Sequence, residues 1–159
     1  MIILQHSILI NWVTLMSNKI NKYLIFGGTF SILAALLHIA IITGGPDWYR
    51  FWGAGEEMAT LAEDGSWIPA ILIFFIFLVL SVWGLYAFSG AGLIRRLPFL
   101  RTVLVLISFV YTIRGLLMVA FIFQPNQMTS FLLWTSIVSL IVGLAHSLGA
   151  KQVWSEISK

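Results

Sequence analysis

Residues 68–88 read IPAILIFFIFLVLSVWGLYAF and contain no charged side chain. About 20 apolar residues are enough for a helix to cross the roughly 30 Å hydrocarbon core of a bilayer. Three more stretches of similar length, at 23–43, 99–123 and 128–148, are equally apolar or nearly so. Lipid cannot hydrogen-bond to the backbone, so each stretch must be helical. The sequence therefore predicts an all-α protein, a bundle of four transmembrane helices in one domain at 23–148.

The composition excludes a water-soluble domain. Hydrophobic residues make up 60% of the chain and charged residues 9%, with a mean hydropathy of +0.98, whereas soluble domains are usually about a quarter charged. The absence of cysteine excludes disulfides, thiol nucleophiles and clusters held by Cys. No phosphate-binding, dinucleotide-binding or zinc-protease motif occurs, and we expect neither a cofactor nor a bound metal.

The basic residues predict an orientation. If the four helices cross the membrane one after another, seven basic residues fall on the same side: Lys19, Lys22, Arg95, Arg96, Arg101, Lys151 and Lys159. Cytoplasmic loops are enriched in Lys and Arg, so both termini, including the tail at 149–159, should be cytoplasmic. Residues 44–67 and the turn QPNQ at 124–127 should face outward. Basic residues at helix ends act as topology determinants, which argues against a nucleic-acid partner.

The connection GGPDWYRFWGAGEEMATLAEDGSW at 44–67 is longer than a simple turn requires. It carries five of the six acids: Asp47, Glu56, Glu57, Glu63 and Asp64. We expect a short amphipathic lid with Met58 and Leu61 on its apolar side. Amphipathic rings favour headgroup depth, where we place Trp48, Tyr49, Trp52 and Trp67. This lid should fold back over the mouth of the bundle.

Polar residues inside the predicted helices mark a candidate site. Arg114 should lie about 13–14 Å below the outer end of its helix and His38 about 7–8 Å below its own, and an intramembrane cation needs a partner. We expect Glu56 or, preferably, Glu57 to reach both. The candidate binding residues are Arg114, His38, Glu57, Glu56, Tyr111, Trp48, Trp52 and Arg50. Alternatively, Arg114 rises to the headgroups or binds one carboxylate structurally, and His38 is an ordinary core residue.

His146, on the fourth helix, should lie roughly 20 Å from His38 along the membrane normal. This separation prevents the two histidines from sharing one metal ion or haem iron.

Three functions fit this site. The first is binding of an amphipathic small molecule or membrane lipid at an outer-leaflet polar site. The second is a membrane enzyme acting on a lipophilic substrate, in which Glu57 or Glu56 exchanges protons with His38 while Arg114 stabilises negative charge. The third is an accessory subunit of a larger membrane complex. The protein partner we expect is either such a complex or further copies of this chain in a homo-oligomer.

The first 22 residues contain MIILQHSILINWVTLM, which is apolar but short for a membrane span and lacks a signal-peptide cleavage site. Two alternatives remain open. In the first, the segment lies along the cytoplasmic interface as an amphipathic helix. In the second, the natural chain begins at Met16, because the residues from Met16 onward resemble an ordinary basic N-terminus.

Three runs carry a resemblance to a known group: GGPDWYRFWGAGEEMA at 44–59, LYAFSGAGLIRRLPFLR at 85–101 and YTIRGL at 111–116. Together they resemble a group of small bacterial four-helix membrane proteins of unknown function, over residues 24–123. The resemblance implies a bacterial inner-membrane protein and brings no activity with it.

Overall fold

The computed structural model describes residues 20–121 and 129–157, and every regular element in those ranges is helical. Four helices are long and apolar enough to cross a membrane, so the chain is an integral membrane protein and the predicted four-helix bundle is confirmed. In chain order the helices are α1 (Lys22–Gly44), α2 (Pro46–Phe51), α3 (Glu56–Glu63), α4 (Ile68–Gly90), α5 (Leu100–Phe121), α6 (Ser130–Gln152) and α7 (Trp154–Ile157).

Local chemistry sets the helix ends. The side chains of Asn21 and Thr129 accept hydrogen bonds from the backbone amides three residues later, at the starts of α1 and α6. Gly45, at φ +70°, ends α1 in a backbone conformation that suits glycine. The observed bounds differ from the predicted spans by a few residues at most. Residues 1–19 and the turn at 124–127 lie outside the described ranges, as do the predictions made for them.

The long helices pack as two close pairs, α1 with α4 and α5 with α6. Glycines make both crossings possible. A Cβ atom added to Gly84 would lie 3.1 Å from the carbonyl oxygen of Gly28, and one added to Gly115 would lie 2.6 Å from the backbone nitrogen of Leu140. Small residues at membrane helix crossings let backbones approach and gain van der Waals contact. Each pair is therefore a tightly packed unit.

The two pairs are joined at the end where α1 begins. Asn21 Nδ2 donates hydrogen bonds to the Gly149 carbonyl and to Gln152 Oε1, both at 3.1 Å. A buried cluster lies beside this contact and contains Leu24, Ala91, Leu100, Leu104, Ile107, Ala150 and Val153. Five basic residues belong to the same end of the bundle: Lys22, Arg95, Arg96, Arg101 and Lys151. We call this the basic end.

The lid, residues 45–67, caps the other end of α1 and α4. Its buried contacts centre on Tyr49 and Ala59, which pack with Ile41 and Ile73. Tyr49 is only 3% exposed and packs against the bundle. The expectation that Leu61 lies on the inward, apolar side was wrong: Leu61 is 39% exposed, and α3 contacts this buried cluster through Ala59 and Ala62.

Candidate functional site

A cavity of about 640 Å³ separates the two helix pairs in the half of the bundle nearest the lid. All four long helices line it, and most of the lining is apolar. At the opposite, basic end the pairs are joined by the hydrogen bonds of Asn21 to Gly149 and Gln152. Ligand sites in proteins typically have volumes of about 300–1,000 Å³ and apolar walls with a few polar groups.

The lid closes the top of this cavity through two neighbouring residues, Trp52 and Gly53. The ring of Trp52 meets Phe131 of α6 edge-on, with centroids 6.2 Å apart. A Cβ atom on Gly53 would lie 2.5 Å from Phe131 Cε1, and Gly53 has a φ of +76°. Both the space and the backbone conformation therefore require glycine here. The lid thus spans the mouth, from the first helix pair to the second.

Arg114 projects from α5 into the cavity. Its Nη1 donates to Ser136 Oγ and its Nη2 to Thr135 Oγ1, both at 3.3 Å. It lies seven residues before Phe121, the last described residue of α5, and so about 10 Å from that residue along the helix axis. The guanidinium is half-buried and forms no ion pair with any described residue. The expectation that a lid carboxylate reaches Arg114 was wrong.

The lid acids cluster on Arg50 instead. Its Nη2 lies 2.8 Å from Glu56 Oε1 and its Nη1 lies 2.7 Å from Glu63 Oε1, with Asp47 at 3.5 Å. These hydrogen bonds lower the pKa of the Glu56 and Glu63 carboxyls and raise the pKa of Arg50. Glu57 is exposed and pairs with no described cation. The short α2–α3 turn brings Arg50 close to Glu56 in water, so neither charge has to be buried.

His38 also lines the cavity. Its Nδ1 lies 2.7 Å from the Ala34 carbonyl oxygen, which can only accept, so Nδ1 carries the proton and Nε2 of the neutral ring is an acceptor. His38 lies six residues before the end of α1, about 9 Å down.

Tyr111 connects the cavity wall to a deeper polar cluster. Ser31 donates its only hydroxyl proton to the Gly27 carbonyl at 3.0 Å, so the Tyr111 hydroxyl donates to Ser31 Oγ at 2.9 Å. The Tyr111 ring stacks on His146, with centroids 5.5 Å apart, and meets Trp83 edge-on at 5.2 Å. These contacts join α1, α4, α5 and α6 at the floor of the cavity.

His146 lies beneath this floor and is fully buried. Its Nδ1 donates to the Val142 carbonyl at 2.9 Å, and Nε2 has no hydrogen-bond partner among the described residues. A Cβ atom on Gly27 would lie 2.6 Å from His146 Nδ1, so the imidazole packs directly against the backbone of α1. His146 and His38 belong to different parts of the site, since only His38 lines the cavity.

The structure thus divides the predicted site residues into two groups. Arg114, His38, Tyr111 and Trp52 line one cavity. Arg50, Glu56, Glu57 and Trp48 do not line it; Arg50 and Glu56 form the ion pairs of the lid, and Trp48 packs on Trp52 with ring centroids 6.5 Å apart.

Sequence reasoning missed several residues that shape the site. Thr135 and Ser136 hold Arg114, and the aromatic wall includes Trp83, Phe131 and Trp134. A signal was present in the run WTSIVS at 134–139, where hydroxyl residues interrupt an apolar helix. Such hydroxyls can bond to their own helix, as Thr135 does to the Leu132 carbonyl at 3.1 Å, so the run does not by itself identify a partner for Arg114.

Within the described residues no group of three His, Cys, Asp or Glu side chains is placed to hold a metal ion. The polar groups of the cavity are instead an arginine, an imidazole and hydroxyls, which suit hydrogen bonding to an organic ligand. No known protein family, curated protein or solved structure matches this chain.

Proposed function

We propose that this membrane protein binds an amphipathic small molecule or lipid in the cavity between its two helix pairs. The observation that carries the proposal is the cavity itself: about 640 Å³, lined by all four membrane-spanning helices and covered by Trp52 and Gly53 of the lid. An apolar wall with a few convergent polar groups is the usual form of a small-molecule site. The partner is thus a lipophilic molecule rather than a water-soluble one.

The route into the cavity supports a ligand that arrives from the bilayer. The lid covers the mouth, whereas two lining residues on adjacent helices, Ile76 of α4 and Val110 of α5, remain 42% and 38% exposed. The contact between α4 and α5 is the loosest among neighbouring long helices. A ligand would therefore pass between these two helices, with its apolar part still in lipid.

The proposal places the cavity in the outer leaflet of a bacterial inner membrane, with both termini in the cytoplasm. Its support is the segregation of Lys22, Arg95, Arg96, Arg101 and Lys151 at the end opposite the lid, since cytoplasmic ends of membrane proteins are enriched in basic residues.

A catalytic role has less support. Proton exchange between His38 and a glutamate requires a carboxylate within hydrogen-bond reach of the reacting group. The described lining of the cavity contains no Asp or Glu, and Glu56 is bound to Arg50.

Two adjacent residues of α1 provide a matched test. Ala34 lines the cavity, whereas Leu33 is exposed on the outside of the same helix. Ala34→Trp should fill the space, and Leu33→Trp should not. Native mass spectrometry of protein extracted with its lipids should show lipophilic adducts on the wild type and on Leu33→Trp, with most of the adduct lost from Ala34→Trp.

A second filling variant, Val138→Trp on α6, guards against misfolding of the first. Retention of the same adducts by folded Ala34→Trp or Val138→Trp would mean that the ligands sit on the outer surface. The absence of any adduct on the wild type, together with no thermal stabilisation by an extract of total membrane lipid, would also overturn the proposal.

A further inference from the structure

Arg114 has more hydrogen-bonding capacity than the described residues use. A guanidinium carries five N–H donors, and the two described bonds of Arg114 are long, at 3.3 Å to the hydroxyls of Thr135 and Ser136. Neither acceptor is charged. Three donors are left, on a half-buried group that lines the cavity. The cation is thus held in place on one side and unsatisfied on the other.

Among the described residues, no acid forms an ion pair with this charge. Of the chain's six acids, Asp47, Glu56 and Glu63 contact Arg50, and Glu57 and Asp64 are exposed in the lid. The sixth, Glu156, belongs to α7, which follows the far end of α6. Ser136 lies 16 residues before Gln152, so the far end of α6 is about 24 Å from Ser136 along the helix axis. Residues 1–19 and 122–128 contain no Asp or Glu.

An unpaired charge at this depth is costly. Arginine at the centre of a membrane helix inserts unfavourably, and intramembrane cations usually pair or face a wet cavity. Two neutral hydroxyls do not neutralise the guanidinium. An anion in the cavity would do so, and an oxyanion matches the planar fork of the guanidinium by accepting two parallel hydrogen bonds.

The rest of the cavity wall indicates the chemistry of the remaining part of such a ligand. Trp83, Phe131 and Trp134 supply flat apolar surface, and the partly exposed Ile76 and Val110 line the cavity where α4 and α5 meet. A fully polar anion would lose its hydration against this wall without replacement. A hydrocarbon chain or ring system would bury apolar surface there instead, with a gain of about 25 cal/mol per Å².

We propose that the ligand is an amphipath with one oxyanionic headgroup, a carboxylate or a phosphate, bound by the guanidinium of Arg114. Its apolar part lies against the aromatic wall and extends toward the gap between α4 and α5. This inference rests on the proposed function and adds to it the charge and chemistry of the headgroup.

Paired ligands that differ only in the headgroup test this inference. Affinities of the purified protein in neutral detergent are measured for oleate against oleyl alcohol, and for dodecyl phosphate against dodecanol. Charge-assisted hydrogen bonds contribute about 1.5–3 kcal/mol, so the anion of at least one pair should bind about 10- to 100-fold more tightly than its alcohol. The pair that shows the larger ratio identifies the carboxylate or the phosphate as the native headgroup.

Variants test whether Arg114 causes the tighter binding of the anion than of the alcohol. Arg114→Gln keeps hydrogen-bonding capacity but removes the charge, so it should bind anion and alcohol with similar affinity and leave the alcohol affinity near the wild-type value. Arg101→Gln is the control, since Arg101 lies at the basic end, over the ring of Trp154 at 4.0 Å, and should keep the wild-type ratio.

The outcomes separate this inference from the proposed function. If wild-type protein binds anion and alcohol equally in both pairs, the headgroup inference is overturned while lipophilic binding stands. If the wild-type protein binds none of the four compounds, both the headgroup inference and the proposed function are overturned. An unchanged ratio in Arg114→Gln overturns the role of Arg114. If that variant does not fold, the wild-type comparison alone decides whether the headgroup must be anionic.

Discussion

The carboxylate of Glu56 lies on the guanidinium of Arg50, with Glu56 Oε2 2.9 Å from Arg50 Nε and Glu56 Oε1 2.8 Å from Nη2. The bond ties α2 to α3 across a turn that contains Gly53 and Gly55, both at positive φ. Glu63 binds the same guanidinium from the other end of α3. Ion pairs therefore hold α2 and α3 of the lid together, and apolar contacts hold the lid against the bundle.

The first prediction concerns the pH dependence of the lid. Arg50 lowers the pKa of Glu56 and Glu63 in the folded protein. A carboxyl with a lowered folded pKa contributes stability fully above its unfolded pKa of about 4.3, and the contribution is lost as the pH falls through the folded value. Amide protection in α3, corrected for intrinsic exchange, should be constant above about pH 5 and should decline below about pH 4.

In Arg50→Gln the protection of α3 should be lower at neutral pH, and the acid-dependent loss should largely disappear. Glu57→Gln is the control, because Glu57 is exposed and pairs with no described cation. An acid transition of the same size in Arg50→Gln as in the wild type would show that the ion pairs do not hold the lid.

The second prediction concerns the contact between Gly27 and His146. Gly27→Ala would place a methyl group against the imidazole, and overpacking of this kind typically costs about 1–3 kcal/mol. The melting temperature in detergent should fall. His146→Ala in the same chain should recover part of the loss, since it removes the ring that the methyl meets. Strictly additive effects of the two substitutions would contradict the contact.

The third prediction concerns the crossing of α5 and α6. A Cβ atom on Gly115 would meet backbone atoms of Leu140, which cannot rotate away, so the helices would have to separate. Gly115→Ala should destabilise the protein by about 1–3 kcal/mol in a denaturant titration. Leu116→Ala, at an exposed position one residue further along α5, should change stability much less. Equal effects of the two variants would exclude a close crossing at Gly115.

The fourth prediction concerns sidedness. The chain has no cysteine, so single cysteines can be introduced without background. Asp64→Cys in the exposed part of the lid and Ser155→Cys in α7 lie at opposite ends of the bundle. A membrane-impermeant thiol reagent should label only the first in intact cells, and both after lysis. Labelling of Ser155→Cys alone would reverse the proposed orientation.

The helices were predictable because they depend on local properties: length, hydropathy and the exclusion of water from lipid. The depth of Arg114, His38 and Tyr111 follows from the helical rise, and the cavity brings these three together. The identity of Arg114's partners does not follow. A lid glutamate had the right charge, but Arg50 lies only six residues from Glu56 and pairs with it outside the bundle.

The inner face of the lid was mispredicted for a related reason. Hydrophobicity alone favours Leu61 as a contact residue, whereas Leu61 is exposed and the observed contact uses Ala59 and Ala62. Close approach of a helix to a packed surface selects small side chains, and the distance between two elements cannot be read from the composition of either one.

The charge of the lid determines how a bound anion would have to arrive. Above the cavity lie five acids and one arginine, Arg50, so an anion approaching through water first meets a repulsive surface. That repulsion acts within a Debye length of about 8–10 Å at ordinary salt. An anion already resting among lipid headgroups approaches Arg114 from the side instead. The acidic lid would therefore act as a filter that discourages water-borne anions, such as free phosphate or acetate, and favours those dissolved in the membrane.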